Sequence, residues 1–444
     1  MIQANNKTKL TTQSPAESAI RPTVGLLGWY AVCTSESLNN DELYYLSMFN
    51  EPLVIFRDQN NVAKCVKDFC SHRGASFRGG EKKDGELICP YHGGRFKSSS
   101  VEGGHDTVTC THIVDPDYKN YAKHVHLRQY PCVESGDYIF IYYTGQAKER
   151  IEDIHIKTPI ENSQPETYGF ELSDTVFEQA FIDFKCDWSR IIENHLDILH
   201  IFWMHGNSLP GNDVNRKTIK SFNQTVHKDN NHLRSKYLEK VAAKDEFISQ
   251  IFIPPGRVII FKGSTDKARY VQVLDHIPLS NNRARIIVRH YRKFLKNKLL
   301  CKLLMFKQRQ LRIFYSIFSE DYLVLQTQTF NEQMGYMKNE YVKLLAEDKM
   351  IKLFWDWHQK AIQDDKPWEL HPTTAETNEV HQDHLMVYPP ANPFLANQVK
   401  AYLKRRVAYR MLSIIIIILA VCFGPELLKK TTSHYSLPST ERSQ

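Results

Sequence analysis

Two short stretches carry residues that could bind a redox metal group. Cys70-x-His72 and, sixteen residues later, Cys89-x-x-His92 offer two thiolates and two imidazoles. That set suits a [2Fe–2S] cluster with both sulfur ligands on one iron and both nitrogen ligands on the other. Replacing two anionic thiolates by neutral imidazoles lowers the negative charge of the cluster and raises its potential. It can then take electrons from a ferredoxin or flavin and pass them on. Glycines follow both stretches, Gly74 and Gly79-Gly80 after the first and Gly93-Gly94 after the second, where backbone must come close to sulfur. The same residue types also form structural zinc sites, usually with about two to four residues between paired ligands. The single residue between Cys70 and His72 favours the cluster. The other cysteines (Cys33, Cys65, Cys110, Cys132, Cys186, Cys301 and Cys422) show no second paired spacing and read as small buried hydrophobes.

A second constellation is Asn194-x-x-Asp197-x-x-His200, followed by His205. The apolar pattern turns helical from about 186 to 205, and spacings of three bring Asn194, Asp197 and His200 toward one face. His205 lies one residue beyond a full turn from His200, so a helix end or bulge has to turn it back. Two imidazoles and a carboxylate on one side of an iron leave the opposite positions open for O2 and a substrate. The carboxylate must come from elsewhere in the chain. Spacing alone also permits His195 to pair with His200.

The elements that must hold these groups follow from patterning. A chain of 444 residues exceeds what one core usually holds, so two domains and a tail are expected. Residues 1–27 are polar, lack an apolar signal-peptide core and read as a flexible lead-in. Residues 28–145 read as all-β: Leu53–Phe56 and Val62–Val66 form a hairpin about Asp58–Asn61, and Glu134–Asp137 turns between Arg128–Val133 and Tyr138–Tyr143. His105, His112, His124 and His126 lie between them and are surface or core residues, because the four-ligand set is already complete. Residues 146–175 are a polar linker. Residues 176–395 combine a strand at Phe177–Phe184, strands at Ile251–Ile253, Arg257–Phe261, Tyr270–His276 and Arg285–Tyr291, and helices over 297–318 and 338–363. The strands suit an antiparallel sheet walling an apolar pocket, and Phe354, Trp355 and Trp357 read as packing. The fold class is α+β.

Near the C-terminus, Lys400, Lys404, Arg405, Arg406 and Arg410 precede an uncharged run from Met411 to Pro425 with five consecutive isoleucines. With snorkelling by Arg410 and Lys429 the span extends over 407–428, a C-terminal hydrophobic helix that would attach the chain to a membrane with its body on the cytoplasmic (or stromal) side. The net charge of +7 is not arranged as a basic stripe with interleaved aromatics, which argues against a nucleic-acid partner. Cysteines without framework spacing suit a reducing compartment.

Trp29-Tyr30, Glu51-Pro-Leu-Val-Ile-Phe-Arg57, the Cys70/His72 loop and Cys89-Pro-Tyr-His-Gly-Gly-Arg-Phe96 resemble the N-terminal domain of the Rieske non-haem iron oxygenases. Gly94 stands where that family commonly has Trp. The Asn194/Asp197/His200/His205 order also matches the family. The resemblance implies a helix-grip-like catalytic domain and a mononuclear Fe(II) held by His200, His205 and, from the late acidic segment Ser319–Gln326, Asp321 in preference to its neighbour Glu320. It implies a separate ferredoxin or flavin reductase as electron donor, in keeping with the lack of a G-x-G-x-x-G fingerprint. Asp197 would bridge a ligand histidine to His72 or His92 of an adjacent subunit, in a head-to-tail homotrimer. Asn194 belongs to the same catalytic set. Tyr270–Pro278, Val288–Arg292, Trp355–His358 before Pro367-Trp368, and the hydrophobic tail resemble the branch containing pheophorbide a oxygenase, although the late Cys-x-x-Cys of its plastid members is missing. That branch implies a tetrapyrrole substrate, with a sterol, carotenoid or other membrane-partitioned molecule next. The alternatives of another class are a Rieske electron-transfer protein without a mononuclear iron, and a zinc-stabilised binding module.

Overall fold

The computed structural model describes residues 26–38, 42–99, 107–113, 122, 124–144, 164–205, 223–228, 232–241, 244–264, 267–280, 282–304, 306–334, 345 and 348–364. The hydrophobic run at 407–428 lies outside the described residues. Among those described, no helix is long and apolar enough to cross a membrane.

Among the described residues, the N-terminal half is mainly β-strand, with a 3-10 turn at Ser35–Ser37. Its strands are β1 (Gly28–Thr34), β2 (Tyr44–Met48), β3 (Glu51–Arg57), β4 (Ala63–Lys67), β5 (Glu81–Lys83), β6 (Glu86–Ile88), β7 (Arg95–Ser99), β8 (Thr107–His112), β9 (His126–Leu127), β10 (Gln129–Tyr130), β11 (Cys132–Ser135) and β12 (Tyr138–Tyr143). They form three antiparallel sheets, ordered β1-β12-β11, β10-β4-β3-β2 and β5-β6-β7-β8-β9. The β3–β4 hairpin closes as expected: the Asp58 carboxylate accepts from the amides of Asn60 (2.9 Å) and Val62 (3.0 Å). At the β11–β12 turn Gly136 and Asp137 both have positive φ (55° and 63°), the backbone of a type I′ hairpin. The single strand expected at Arg128–Val133 is split by Pro131. β10 pairs with β4 and β11 with β12, so the chain changes sheet at the residue that has no N–H to donate.

The C-terminal half is one seven-stranded antiparallel sheet with helices. Its strands are β13 (Val176–Phe184), β14 (Asn223–Lys228), β15 (Leu233–Val241), β16 (Lys244–Ile253), β17 (Arg257–Ser264), β18 (Lys267–Ser280) and β19 (Arg283–Arg292), in the order β13-β19-β18-β17-β16-β15-β14. The helices are α1 (Trp188–Leu196), α2 (His200–Met204), α3 (Lys298–Leu303), α4 (Phe306–Gln333) and α5 (Lys349–Asp364). β13 pairs along its whole length with β19, from Val176 opposite Arg292 to Phe184 opposite Ala284.

The two halves share a core. Trp29, Tyr30 and Phe140 from the first pack in one cluster with Phe184, Ile191, Ile286 and Phe354 from the second. Arginines of the large sheet stitch the seam. Arg289 donates to the carbonyls of Gly136 (3.2 Å) and Asp137 (3.1 Å) at the β11–β12 turn, and Arg285 reaches the Tyr44 hydroxyl (3.4 Å) while paired with Asp183. Buried Arg257 forks onto Asp275 (2.6 and 2.9 Å) beneath the Tyr138 and Phe140 rings. At the end of the polar 146–175 segment Phe170 is buried and packs on Ile251, Ile259 and Phe261 of the large sheet. Phe354 and Trp357 of α5 pack on Phe252, so the aromatic cluster is packing, as its pattern suggested.

Candidate functional site: two metal-binding poles

The first pole lies on the loops β4–β5 and β6–β7. Each closes on itself with the same backbone pattern. The Cys70 amide donates to the carbonyl of Ala75 (2.7 Å) and its carbonyl accepts from Gly74 (2.7 Å); the Cys89 amide donates to Gly94 (2.8 Å) and its carbonyl accepts from Gly93 (3.0 Å). Gly74 and Gly93, at the matching position of each loop, both have positive φ (78° and 62°), which explains why glycine stands there. At Gly80 a Cβ would fall 2.3 Å from the Ile88 carbonyl oxygen, so only glycine lets the two loops approach. The Asp68 carboxylate fastens the first loop by accepting from Ser76 Oγ and the Phe77 amide, both at 2.6 Å.

These loops bring the four expected ligands together. Cys70 and Cys89 are buried, and the His72 and His92 rings lie 4.8 Å apart, half-exposed at the tip. Burial, with the neighbouring Cys89 thiol adding to it, pushes the Cys70 thiol up to about 11. Two thiols held together away from water ionise when a cationic metal centre joins them, so this donor set fits an iron–sulfur cluster. Cys110 packs beside the pair, but its thiol donates to the His112 carbonyl (3.3 Å). Gly94 is buried under Phe96 and Ile113.

The second pole depends on a break in the helix expected over 186–205. α1 starts on the Asp187 carboxylate, which accepts from the Ser189 amide (2.9 Å), and buries Ile191, Ile192 and Leu196. It stops at Asp197, whose backbone is extended (φ −78°, ψ 118°). The Asp197 carboxylate then accepts from the amides of Leu199 (2.7 Å) and His200 (3.3 Å) and starts α2. The one-face reading from a continuous helix is therefore replaced by a corner, and the corner turns His200 and His205 to face the same point.

Asp321 meets them there from the middle of α4, which runs on well past the end expected at 318. One donor atom from each of His200, His205 and Asp321 lies within 4.8 Å of the others, and among the described residues this is the group that converges tightly enough for a single ion. Asp321 Oδ1 is 3.2 Å from His205 Nε2 and 3.7 Å from His200 Nε2. Asp321 and His205 are both 2 % exposed. Neighbours on a helix point about 100° apart, and Glu320 accordingly lies on the far side of the ring, its Oε2 2.8 Å from His205 Nδ1. Nδ1–H thus donates to Glu320 and Nε2 is left facing Asp321. Burial alone would depress His205, but the Asp321 and Glu320 carboxylates outweigh it and raise the imidazole to about 9. His200 is shifted the other way by burial, its two carboxylates being more distant. A site in which two acidic groups favour a proton on a buried imidazole fits a divalent cation in that proton's place.

The remaining residues surround this triad. Asp197 Oδ2 is 3.7 Å from His200 Nδ1, with its side chain 29 % exposed. Asn194 Nδ2 donates to Asp321 Oδ1 (3.3 Å). His195 does not join the group: its Nδ1 meets Nε2 of His276 on β18 (2.8 Å), and His276 Nδ1–H donates to the Gly256 carbonyl (2.8 Å). The structure thus brings His205, and not His195, beside His200 and Asp321. Arg190 fixes the frame, pairing with Glu193 (2.6 Å) and with Glu332 of α4 (3.1 Å) under the Trp355 ring. Sequence reasoning missed the Glu320 contact and the His195–His276 pair. Adjacency to Asp321 was a signal for the first; nothing local connects His195 to a residue 81 positions away.

Comparison with known proteins finds a match for each of the two domains that carry these poles. Residues 28–115 match the Rieske [2Fe-2S] domain and residues 184–364 the vanillate O-demethylase oxygenase C-terminal domain. Chlorophyllide a oxygenase of Chlamydomonas reinhardtii is 28% identical over 40% of this chain and 24% of its own length. Cholesterol 7-desaturase of Caenorhabditis elegans is 27% identical over 42% of this chain and 41% of its own, and the vanillate O-demethylase oxygenase subunit of Pseudomonas sp. (strain HR199 / DSM 7063) is 26% identical over 48% and 53%. The matched segments thus span about a quarter to a half of these relatives. In fold the chain is similar to dicamba monooxygenase bound to dicamba (TM-score 0.58, 16% identity, 78% of this chain and 98% of that one). It is likewise similar to the terminal oxygenase of carbazole 1,9a-dioxygenase from Nocardioides aromaticivorans IC177 (TM-score 0.55, 17% identity, 76% and 95%). A Rieske domain joined in one polypeptide to an oxygenase C-terminal domain, each carrying its own converged ligand set, makes this chain a member of the Rieske non-haem iron oxygenases.

Proposed function

We propose that the chain is the terminal oxygenase of a multicomponent system that oxygenates a hydrophobic small molecule with O2 and electrons from a ferredoxin or flavin reductase. The observation that carries this reading is the meeting of Asp321 with His200 and His205. A Rieske electron-transfer protein has no use for a second, buried two-histidine, one-carboxylate site. Cys70 and Cys89 would hold one cluster iron and His72 and His92 the other. His200, His205 and Asp321 would hold the mononuclear Fe(II), which supplies O2 activation when bound.

The chain's own residues then have separable tasks. Glu320 holds the His205 proton on Nδ1 and so keeps Nε2 available to metal. Asn194 donates to Asp321 and fixes its carboxylate. Asp197 builds the corner between α1 and α2, and its remaining exposure leaves it accessible to a cluster histidine of an adjacent subunit in a homotrimer. The half-exposure of His72 and His92 supports such a contact. The buried walls around Asp321 and His205 keep water from the reacting centre.

A tetrapyrrole is the substrate we favour, because the likeness to chlorophyllide a oxygenase combines with the Tyr270–Pro278 and Trp355–His358 resemblances. The similar identity to cholesterol 7-desaturase makes a sterol or other lipid-like molecule the second reading. The 407–428 run is our membrane anchor, with the catalytic body on the cytoplasmic or stromal side. The test supplies iron-loaded protein with reduced ferredoxin and each candidate in turn, under labelled O2. Incorporation of label into a tetrapyrrole supports the first reading. No O2 uptake with either class, from protein whose cluster is shown to be reduced, contradicts both.

A further inference from the structure

The connection from β19 through α3 into α4 has an unusual surface. Phe294, Leu295, Leu299, Leu300 and Leu303 are all exposed, Leu299 and Leu303 at 68% and 65%. Five large apolar side chains within ten residues form a patch of the kind that marks an interaction surface, not the scattered exposure normal for a soluble face. Lysines are threaded through it at Lys293, Lys296, Lys298, Lys302 and Lys307, and the sequence from Arg292 to Ser319 contains no acidic residue. Lys296 pairs with Asp174. Lys298, Lys302 and Lys307 have no carboxylate partner among the described residues and are exposed.

The patch is held in shape and is not a frayed loop. The Arg292 guanidinium, anchored by Glu178 (2.9 Å), donates to the carbonyls of Phe294 and Leu295 and lies over the Phe306 ring (4.2 Å). It holds Leu295 at φ 50°, a conformation that leucine seldom adopts. The Cys301 thiol donates to the Leu295 carbonyl (2.8 Å), and Asn297 caps α3 by accepting from the Leu300 amide (2.9 Å). Sheet, guanidinium and cap together present the leucines outward.

We propose that residues 294–307 form a lipid-docking surface that seats on an anionic bilayer. The leucines and Phe294 would enter the headgroup–acyl boundary, and Lys298, Lys302 and Lys307 would lie among the anionic headgroups. The choice of lipid over a protein partner rests on this composition: leucine and phenylalanine interleaved with unpaired lysines, with no acidic group in the segment, complement a negative, deformable surface. α4 leads from the patch toward the iron ligands, Asp321 lying ~22 Å along the helix from Phe306. The contact is separate from the 407–428 run and does not rest on the oxygenase reading.

The test is amide hydrogen exchange on the full chain, with vesicles of phosphatidylcholine alone or mixed with phosphatidylserine. We expect exchange at 294–304 to slow by roughly tenfold or more with the anionic vesicles only, and high salt to reverse it. Leu299→Ser/Leu303→Ser and, separately, Lys298→Glu/Lys302→Glu should each remove the protection. Both pairs are exposed, and retained cluster absorbance confirms that the variants fold. Because the readout is local, vesicle attachment through the tail cannot imitate it. Unchanged exchange at 294–304 on vesicle-bound protein overturns the proposal. So does equal protection by neutral vesicles, or protection that grows with protein concentration in the absence of lipid, which would assign the patch to a second copy.

Discussion

Around Cys70 and Cys89 the geometry is set by backbone: two loops with matching hydrogen bonds, a positive-φ glycine in each, and imidazoles left half-exposed at the tip. Around Asp321 it is set by side chains. A carboxylate interrupts one helix and starts the next, a second holds an imidazole from behind, and a third arrives from a helix more than a hundred residues later. The first pole suits a group that must exchange electrons with another protein. The second is enclosed, as a site that activates O2 needs to be. The difference teaches where each should be vulnerable: the cluster to loss of a ligand, the iron site also to loss of the groups that orient its ligands.

The largest effects come from removing ligands, and they should separate the poles. Cys89→Ser is expected to abolish turnover and the visible absorption of the cluster while leaving iron at the second site. His205→Ala or Asp321→Ala should abolish turnover while keeping the cluster spectrum intact. Metal analysis beside absorption spectra checks both, and loss of both metals from any single variant would break the separation.

Next comes Asp197→Asn. It keeps a side-chain oxygen to accept from Leu199 and His200, so both metals should load, yet turnover should fall on the order of a hundredfold. Unchanged turnover with both metals present removes Asp197 from the electron path. Glu320→Gln is milder. It retains an acceptor for His205 Nδ1–H but loses the charge, and iron affinity should weaken by roughly tenfold, measured by competition with a chelator.

The contrast between the poles also explains what was legible. Cys70, His72, Cys89 and His92 fall within one short stretch, and their types, their spacing and the glycines beside them are local properties, so a Rieske-type domain was legible from sequence alone. The antiparallel sheet was readable at Arg257–Phe261 and Arg285–Tyr291 because short runs of β-branched and aromatic residues report strands directly. The corner at Asp197 was not, since helical periodicity carries no mark of a carboxylate that caps the following turn. The choice of Asp321 over Glu320 needed the fold, because it depends on which way α4 is rotated against α2. His195 needed it too: only the register of β18 brings His276 against it. The shared core of the two halves was hidden for the same reason, as Arg289 and the Gly136–Asp137 turn meet across more than 150 positions.

The last prediction concerns stability, not turnover, and the histidines buried in the second half. Burial lowers His276, His290 and His358 from 6.5 to about 4. Between those values the unfolded chain binds protons that the folded chain refuses, so stability falls as pH drops through that window and is recovered above it. Each group contributes at most about 3 kcal/mol to the loss. Urea unfolding at pH 7 and pH 5 should show the decline, and His358→Phe should lessen it by about a third, because the ring is one of three such groups and Trp188, Phe354 and Trp355 already surround it.

The central claim, two different metal centres on one chain, is tested most directly by iron counting with magnetic spectroscopy on anaerobically purified protein. The account predicts about three irons per chain, two giving the signal of a mixed cysteine–histidine cluster after reduction and one behaving as an isolated ferrous ion that Asp321→Ala removes. Two irons with no isolated site, or zinc in place of iron, would contradict it.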